Sequence, residues 1–264
     1  MSSQRHSDQS MLTNHWTSRP EWSGGRSLLA CYLTLGGIRQ VVERIAVYQH
    51  RLLDLTQVDL VRPEWLHVTV QGIAFTDELS VNGAERLAKA LTDPLAAMPA
   101  PRLRLERPEV GSDGVFLPLE PAAELTILRA AVRTAAKLEL DLPQLYALPG
   151  QTLGDDLDLS AATHPDLSAA TASDRNPGRR RSFHPHTSLA YVNRDLPRAE
   201  ILDRLDPVPY LPVEFTLRSV SVIKLHRSDH TWWWSDRWEV PLGTAIQPGA
   251  VQPGTVQPGT VSPG

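Results

Sequence analysis

Residues 61–75 read VRPEWLHVTVQGIAF, and the pattern from Trp65 to Phe75 predicts a β-strand. Residues i and i+2 of a strand point to the same face of a sheet. His67 and Thr69 should therefore project together from one face, while Val68 and Val70 turn into the core behind them. The segment would present an imidazole beside a hydroxyl on a rigid strand.

A second segment, residues 183–190, repeats this arrangement with the sequence FHPHTSLA. The same parity places His186 and Ser188 on one face and Leu189 on the other. If the two strands face each other across a cleft, the two imidazole–hydroxyl pairs form a symmetrical cradle for one phosphate.

Working outward, the chain alternates short strand and helix patterns between about residues 27 and 242. Several strand patterns lie close enough together to form hairpins, which favours an α+β body with mainly antiparallel sheets. A helical stripe is clearest where Leu87, Leu91 and Leu95 recur at every fourth position.

Three flanking or intervening stretches lack such patterns and are predicted to be flexible. Residues 1–26 form a polar leader, although Trp16 and Trp22 are candidates for docking on the body. Residues 151–181 contain the string DLSAAT twice and are interpreted as an insert that is disordered or acts as a lid. Residues 243–264 form a tail of repeated QPG units, too rich in Pro and Gly to build a core.

The pattern His-x-Ser/Thr is by itself a weak signal, because it also occurs at His15 and at His226. The copies at His67 and His186 differ in having apolar neighbours that make a strand. Two such histidines satisfy the chemistry of phosphodiester cleavage or formation, since imidazole can act as base or acid near neutral pH. The hydroxyls would donate hydrogen bonds to the non-bridging oxygens. This mechanism needs neither a metal ion nor a cofactor, and no residue cluster has zinc-ligand spacing.

The composition is that of an ordinary globular protein, with 264 residues and a formal net charge of −4. Long nucleic acid would not be attracted by the bulk charge, so a local basic patch is needed, and Arg181 in the run 179–181 is a candidate phosphate ligand. Cys31 is the only cysteine, which excludes an intramolecular disulfide. The absence of a long apolar segment predicts no membrane association and a cytoplasmic location.

Both segments resemble the signature motifs of the 2H phosphoesterase superfamily, which includes the 2′-5′ RNA ligases and cyclic phosphodiesterases. Residues 61–70 resemble the first motif, and residues 183–190 resemble the second. The resemblance covers roughly residues 27–242 and implies a bilobal fold, with two mainly antiparallel sheets, helices outside and a central groove. It further implies that His67 and His186 are the catalytic pair and that Thr69 and Ser188 hold the phosphate.

The chain departs from that family at the residue after the second motif and in the spacing of its histidines. Tyr191, a further candidate for substrate binding, stands where many ligase-like members have Arg, which weakens a specific prediction of ligase activity. The two motifs are also farther apart than is usual, largely because of the insert at 151–181.

The function predicted from these observations is a metal-independent phosphodiesterase acting on 2′,3′-cyclic phosphates or 2′-5′ linkages. The expected substrate is an RNA end or a small nucleotide with a cyclic phosphate, and the protein is expected to be a monomer. The alternatives are ligation in the reverse direction and a nucleotide- or RNA-binding module without turnover, with a scaffold ranked last. The sequence leaves open which histidine is the base.

Overall fold

The computed structural model describes residues 11–17, 19–146 and 183–243. The insert at 151–181, including Arg181, and the tail after Gly243 therefore lie outside the described residues. The strands are β1 (Met11–Leu12), β2 (Leu28–Thr34), β3 (Val58–Leu60), β4 (His67–Phe75), β5 (Arg102–Leu105), β6 (Glu109–Val110), β7 (Gly114–Glu120), β8 (His186–Val192), β9 (Leu196–Pro197), β10 (Val213–Thr216), β11 (Ser219–Ser228) and β12 (Thr231–Pro241). The helices are α1 (Arg39–His50), α2 (Gly83–Ala96), α3 (Ala122–Leu140) and α4 (Arg198–Leu205).

The strands pair antiparallel in the order β10-β5-β7-β8-β4-β2-β11-β12, with β3 and β6 added beside β8 and β7. The order has two halves, one ending in β8 and the other in β4. The halves meet at a single residue pair, Val68 opposite Thr187. The predicted α+β class with antiparallel sheets is confirmed, and the two predicted sheets are the halves of one continuous strand order.

The predicted apolar stripe of α2 is buried, and α3 packs into the same core. In α2, Leu87, Leu91 and Leu95 recur every fourth residue, and each is fully buried. In α3, Leu125 and Val132 lie in the same core. Among the described residues, no helix is long and apolar enough to cross a membrane.

The N-terminal segment, defined as residues 11–17 and 19–26, packs against the body and extends it beyond the boundary predicted at residue 27. β1 pairs with β9, and the side chains of Leu12, His15 and Trp22 are buried. Trp22 donates a hydrogen bond from Nε1 to the hydroxyl of Tyr146. The sequence of this segment has no helical or strand periodicity, because the segment is held by separate contacts and not by one apolar face of a helix or strand.

Candidate active site

The pairing of β4 with β8 brings the two predicted motifs to the centre of the strand order. Val68 and Thr187 face each other across the junction, and extending this antiparallel register by one residue places His67 beside Ser188. Thr69 then lies beside His186. Val68, Thr187 and Leu189 are fully buried on the opposite face, as the alternation predicted.

Both histidines are held in the same way by a backbone carbonyl two residues earlier. Nδ1 of His67 lies 2.7 Å from the carbonyl oxygen of Trp65, and Nδ1 of His186 lies 2.8 Å from that of His184. A carbonyl oxygen can only accept, so Nδ1 of each ring carries the proton and donates it. In both neutral rings Nε2 is therefore unprotonated.

The neutral form of both rings is favoured by their surroundings. Burial is the main cause that lowers the pKa of His67 from 6.5 to about 4, and the nearby His186 lowers it further, against the hydrogen bond to Trp65. Burial also lowers the pKa of His186, while the hydrogen bond to His184 opposes this.

Aromatic rings hold the two imidazoles in place. Tyr32 stacks on His67 with ring centroids 4.0 Å apart and an interplanar angle of 4°. Trp234 meets the same imidazole edge-on at 6.0 Å. On the other side, the ring of Phe116 lies 4.8 Å from that of His186.

Each motif hydroxyl shares the cavity wall with a tyrosine. Tyr32 stands opposite Thr69 in the pairing of β2 with β4, and Tyr191 lines the same cavity as Ser188. Tyr191 reaches this position because the pairing of β8 with β7 skips Leu189. Such a bulge adds one residue and changes which face the next side chains occupy.

The two motifs line one cavity of about 690 Å³. Five of the six predicted site residues belong to its wall: His67, Thr69, His186, Ser188 and Tyr191. The sixth, Arg181, lies outside the described residues. In the described part of the chain, no group of three or more His, Cys, Asp or Glu side chains could hold a metal ion.

Three further residues of the cavity wall, His15, Arg19 and Asp113, were not predicted as site residues. His15 donates from Nδ1 to a carboxylate oxygen of Asp113 at 2.8 Å and accepts a hydrogen bond at Nε2 from Nε1 of Trp232 at 2.9 Å. The indole can only donate, so His15 is neutral with both nitrogens occupied. Burial, the largest contribution, lowers its pKa.

These contacts distinguish the site histidines from the other two copies of the His-x-Ser/Thr pattern. His15 stacks on Tyr191 at 4.2 Å and supports the wall, but it has no nitrogen available for proton transfer. His226 shares a hydrogen bond with Ser235 and stacks on Trp233, away from the cavity. The sequence signal for the N-terminal contribution was the pair of tryptophans in an otherwise polar leader.

The arrangement can exchange protons at two places along one cavity wall and donate hydrogen bonds between them. Within the described residues neither Nε2 has a hydrogen-bond partner, and the hydroxyls of Thr69 and Ser188 line the same cavity as the two rings. An anion in the cavity would stabilise a protonated imidazole by direct charge attraction.

Comparison with known proteins gives one family and a set of distant structures. The sequence model described as the 2′-5′ RNA ligase superfamily matches residues 39–229. No curated protein sequence matches the chain.

The structures it resembles have low sequence identity. TT0787 of Thermus thermophilus is 18% identical with a TM-score of 0.48, over 81% of this chain and 97% of its own. E. coli LigT complexed with ATP is 15% identical with a TM-score of 0.47, over 81% and 98% of the two chains. The MHV ns2 PDE domain is 11% identical with a TM-score of 0.40, over 72% and 99%. The family match spans most of the chain and includes both histidine motifs, and the protein therefore belongs to the 2′-5′ RNA ligase superfamily of two-histidine phosphoesterases.

Proposed function

We propose that this protein is a metal-independent phosphodiesterase that acts on nucleotides or RNA ends carrying a 2′,3′-cyclic phosphate or a 2′-5′ linkage. The observation that carries the proposal is the matched setting of His67 and His186. Each ring donates from Nδ1 to a carbonyl, and both residues line the same cavity. Two such groups are what a reaction needs when one oxygen must lose a proton and another must gain one.

The proposed hydrolysis begins with Nε2 of one histidine taking a proton from water as its oxygen attacks phosphorus. The bond from phosphorus to the 2′ or 3′ oxygen breaks, and the other histidine, protonated at Nε2, donates its proton to that oxygen. The product is a nucleotide with an open phosphate monoester. The base and the acid have exchanged protonation states, and solvent restores them.

The hydroxyls of Thr69 and Ser188 are proposed to bind the non-bridging oxygens. Negative charge on these oxygens must be stabilised during the reaction, and donors held on strands need no rearrangement to do so. Tyr32, which stands opposite Thr69, and Tyr191, which lines the cavity with Ser188, are proposed to orient the two hydroxyls before substrate binds. Tyr191 is therefore proposed to act on the substrate through Ser188.

Ligation follows the same path with the 5′-hydroxyl of an RNA in place of water: one histidine takes its proton, the bond from phosphorus to the 3′ oxygen breaks, and the other histidine protonates that oxygen, which leaves a 2′-5′ linkage. Cleavage of a 2′-5′ linkage by the neighbouring 3′-hydroxyl is the reverse of this step, and the two histidines exchange roles in it. A binding module that recognises a nucleotide without turnover is the second alternative. The two intact imidazole–hydroxyl pairs favour an enzyme, because recognition alone does not require two proton-transfer groups.

The test is incubation of the purified full chain with 2′,3′-cyclic AMP in EDTA, with products separated by chromatography. We expect a single nucleoside monophosphate to accumulate, and 3′,5′-cyclic AMP to be the control for the class of linkage. RNA with a cyclic phosphate, supplied together with RNA bearing a 5′-hydroxyl, tests the ligation direction. The absence of turnover on mononucleotide and oligonucleotide substrates would favour the binding module.

A further inference from the structure

The N-terminal segment places one guanidinium in the wall of the candidate active site. Arg19 lines the cavity together with both motif histidines and both motif hydroxyls. It belongs neither to the strands that carry the motifs nor to residues 39–229, which the family model matches. The cation therefore reaches the site from a part of the chain outside the matched region.

The guanidinium of Arg19 packs near an aromatic ring and is not neutralised by a carboxylate of the described residues. Its guanidinium lies 5.5 Å from the ring centroid of Trp232. Within the described part of the chain it makes no ion pair or hydrogen bond through its side chain. Asp113, a carboxylate of the same wall whose charge acts on Arg19, is bonded to His15. Burial is the main cause that lowers the pKa of Arg19, yet a guanidinium remains charged at neutral pH.

The segment that carries Arg19 is anchored on both sides of it. Before it, Nη2 of Arg227 donates to the carbonyl oxygens of His15 at 3.3 Å and Trp16 at 2.6 Å. After it, Trp22 is buried and bonded to Tyr146. The backbone around Arg19 is thus fixed by groups other than the guanidinium itself.

Arg19 offsets the negative charge of the carboxylates in the cavity wall. Among the described residues of the wall, Glu109, Asp113 and Glu120 carry negative charge, both motif histidines are neutral, and Arg19 is the permanent cation. Carboxylates alone would repel a phosphate. Arg19 lines the same cavity as Thr69 and Ser188 and as the tyrosines Tyr32 and Tyr191.

We propose that Arg19 binds the non-bridging oxygens of the same phosphate that the two motif hydroxyls hold, and that the N-terminal segment is therefore part of the substrate site. The inference rests on the proposed function for the identity of the reacting group. It adds a phosphate ligand that the two strand motifs do not supply. A guanidinium fits this role because its planar donors match two phosphate oxygens.

The test measures binding of inorganic phosphate by calorimetry to the full chain and to Arg19→Met, Arg19→Lys and Arg102→Gln. Arg102 is an exposed arginine that is paired with Glu214 and does not line the cavity, and it is the matched control. We expect Arg19→Met to lose phosphate affinity at least about 10-fold, Arg19→Lys to retain part of it, and Arg102→Gln to bind like wild type, as the loss of a charge-assisted contact implies. Equal affinity of Arg19→Met and wild type would overturn the proposal, as would equal losses in Arg19→Met and Arg19→Lys.

Two further comparisons distinguish this inference from a purely structural role of Arg19 and from the proposed catalytic function. Limited proteolysis of Arg19→Met should leave the N-terminal segment as protected as in wild type, whereas new cleavage there would show that Arg19 holds the segment in place instead. Phosphate binding does not depend on turnover. An Arg19-dependent phosphate site in a protein that hydrolyses no cyclic nucleotide would preserve this inference and reject the proposed function.

Discussion

At the scale of single residues, the decisive feature is that His67 and His186 share one hydrogen-bonding pattern. Each Nδ1 is committed to a carbonyl two positions earlier in its own chain segment. The ring orientation is therefore set by local backbone, and the protein needs no carboxylate to orient either imidazole. The occupied nitrogens of His15 show the contrast, since a histidine bonded on both sides supports a wall and cannot transfer a proton.

Removing the motif hydroxyls should slow the reaction without unfolding the protein. Thr69→Val and Ser188→Ala are each expected to lower kcat/KM by about 10- to 100-fold, because a hydrogen bond to a charged oxygen is lost. The matched control is Thr187→Val. Thr187 lies on the same strand as Ser188, is fully buried on the opposite face, and its hydroxyl has no partner in the described part of the chain. Steady-state kinetics that show equal effects of all three substitutions would contradict the assigned faces.

The lowered pKa of His67 should make the fold sensitive to acid. The unfolded chain binds a proton at this residue between pH 6.5 and about 4, and the folded chain does not. The resulting stability is complete above pH 6.5 and is lost as the pH falls toward 4, by at most about 1.4 kcal/mol per pH unit. In urea denaturation at pH 7 and pH 5, wild type should lose more free energy of unfolding than His67→Gln. Equal losses would mean that His67 titrates normally.

At this scale the sequence predicted the strand motifs well and the supporting residues poorly. Alternation was enough to place His67 with Thr69 and His186 with Ser188. The presence of Tyr191 in the same cavity wall depends on a bulge at Leu189. This bulge arises from the pairing of β8 with β7 and has no signal in the local sequence. Arg19 and Asp113 could not be predicted because each approaches the site from a distant segment with no regular pattern.

At the scale of elements, a close backbone approach positions the carbonyl that orients His67. The turn Pro63–Trp65 precedes β4 and packs against Gly36. A Cβ at Gly36 would lie 2.5 Å from the carbonyl oxygen of Pro63, whereas a Cβ at Gly37 would have no atom within 4 Å. Gly36 therefore allows the turn to deliver the Trp65 carbonyl to Nδ1.

The substitution Gly36→Ala should displace this turn. We expect it to lower the free energy of unfolding by about 1–3 kcal/mol, which is typical of overpacking, and to reduce turnover through the misplaced imidazole. Gly37→Ala is the matched control and should preserve both quantities. Thermal denaturation and kinetics measure them together, and an unperturbed Gly36→Ala enzyme would show that the turn is not constrained by the glycine.

The element boundaries that follow periodic patterns were predictable, while the junction between the halves was not. The stripes of α2 and α3 and the strands β4 and β8 all follow alternation or four-residue repeats. The single pair that joins β4 to β8 has no local signature, because it depends on how two sheets curl toward each other.

At the scale of the whole molecule, the N-terminal segment is part of the packed body. Trp22 packs edge-on against Phe75 and Trp232, with ring centroids 5.3 and 4.9 Å apart. This cluster lies on the side of the sheet that also carries Tyr32. The segment thus links the core to the cavity wall that holds Arg19.

Truncating this anchor should destabilise the protein. Trp22→Ala is expected to lower the free energy of unfolding by about 3 kcal/mol, because a buried indole is removed from a packed cluster. Met11→Ala, at a more exposed position of the same segment, should have a small effect. Urea denaturation distinguishes the cases, and a negligible effect of Trp22→Ala would restore the prediction of a flexible leader.

The measurement that tests the central claim most directly is single-turnover hydrolysis of 2′,3′-cyclic AMP by His67→Ala, His186→Ala and the double variant. Residues that act as one unit have non-additive effects, so we expect each single substitution to reduce the rate at least about 1,000-fold and the double substitution to reduce it little further. His226→Ala, remote from the cavity, should retain the wild-type rate. Near-wild-type rates in either folded single variant, or independent losses that multiply in the double variant, would contradict a two-histidine mechanism.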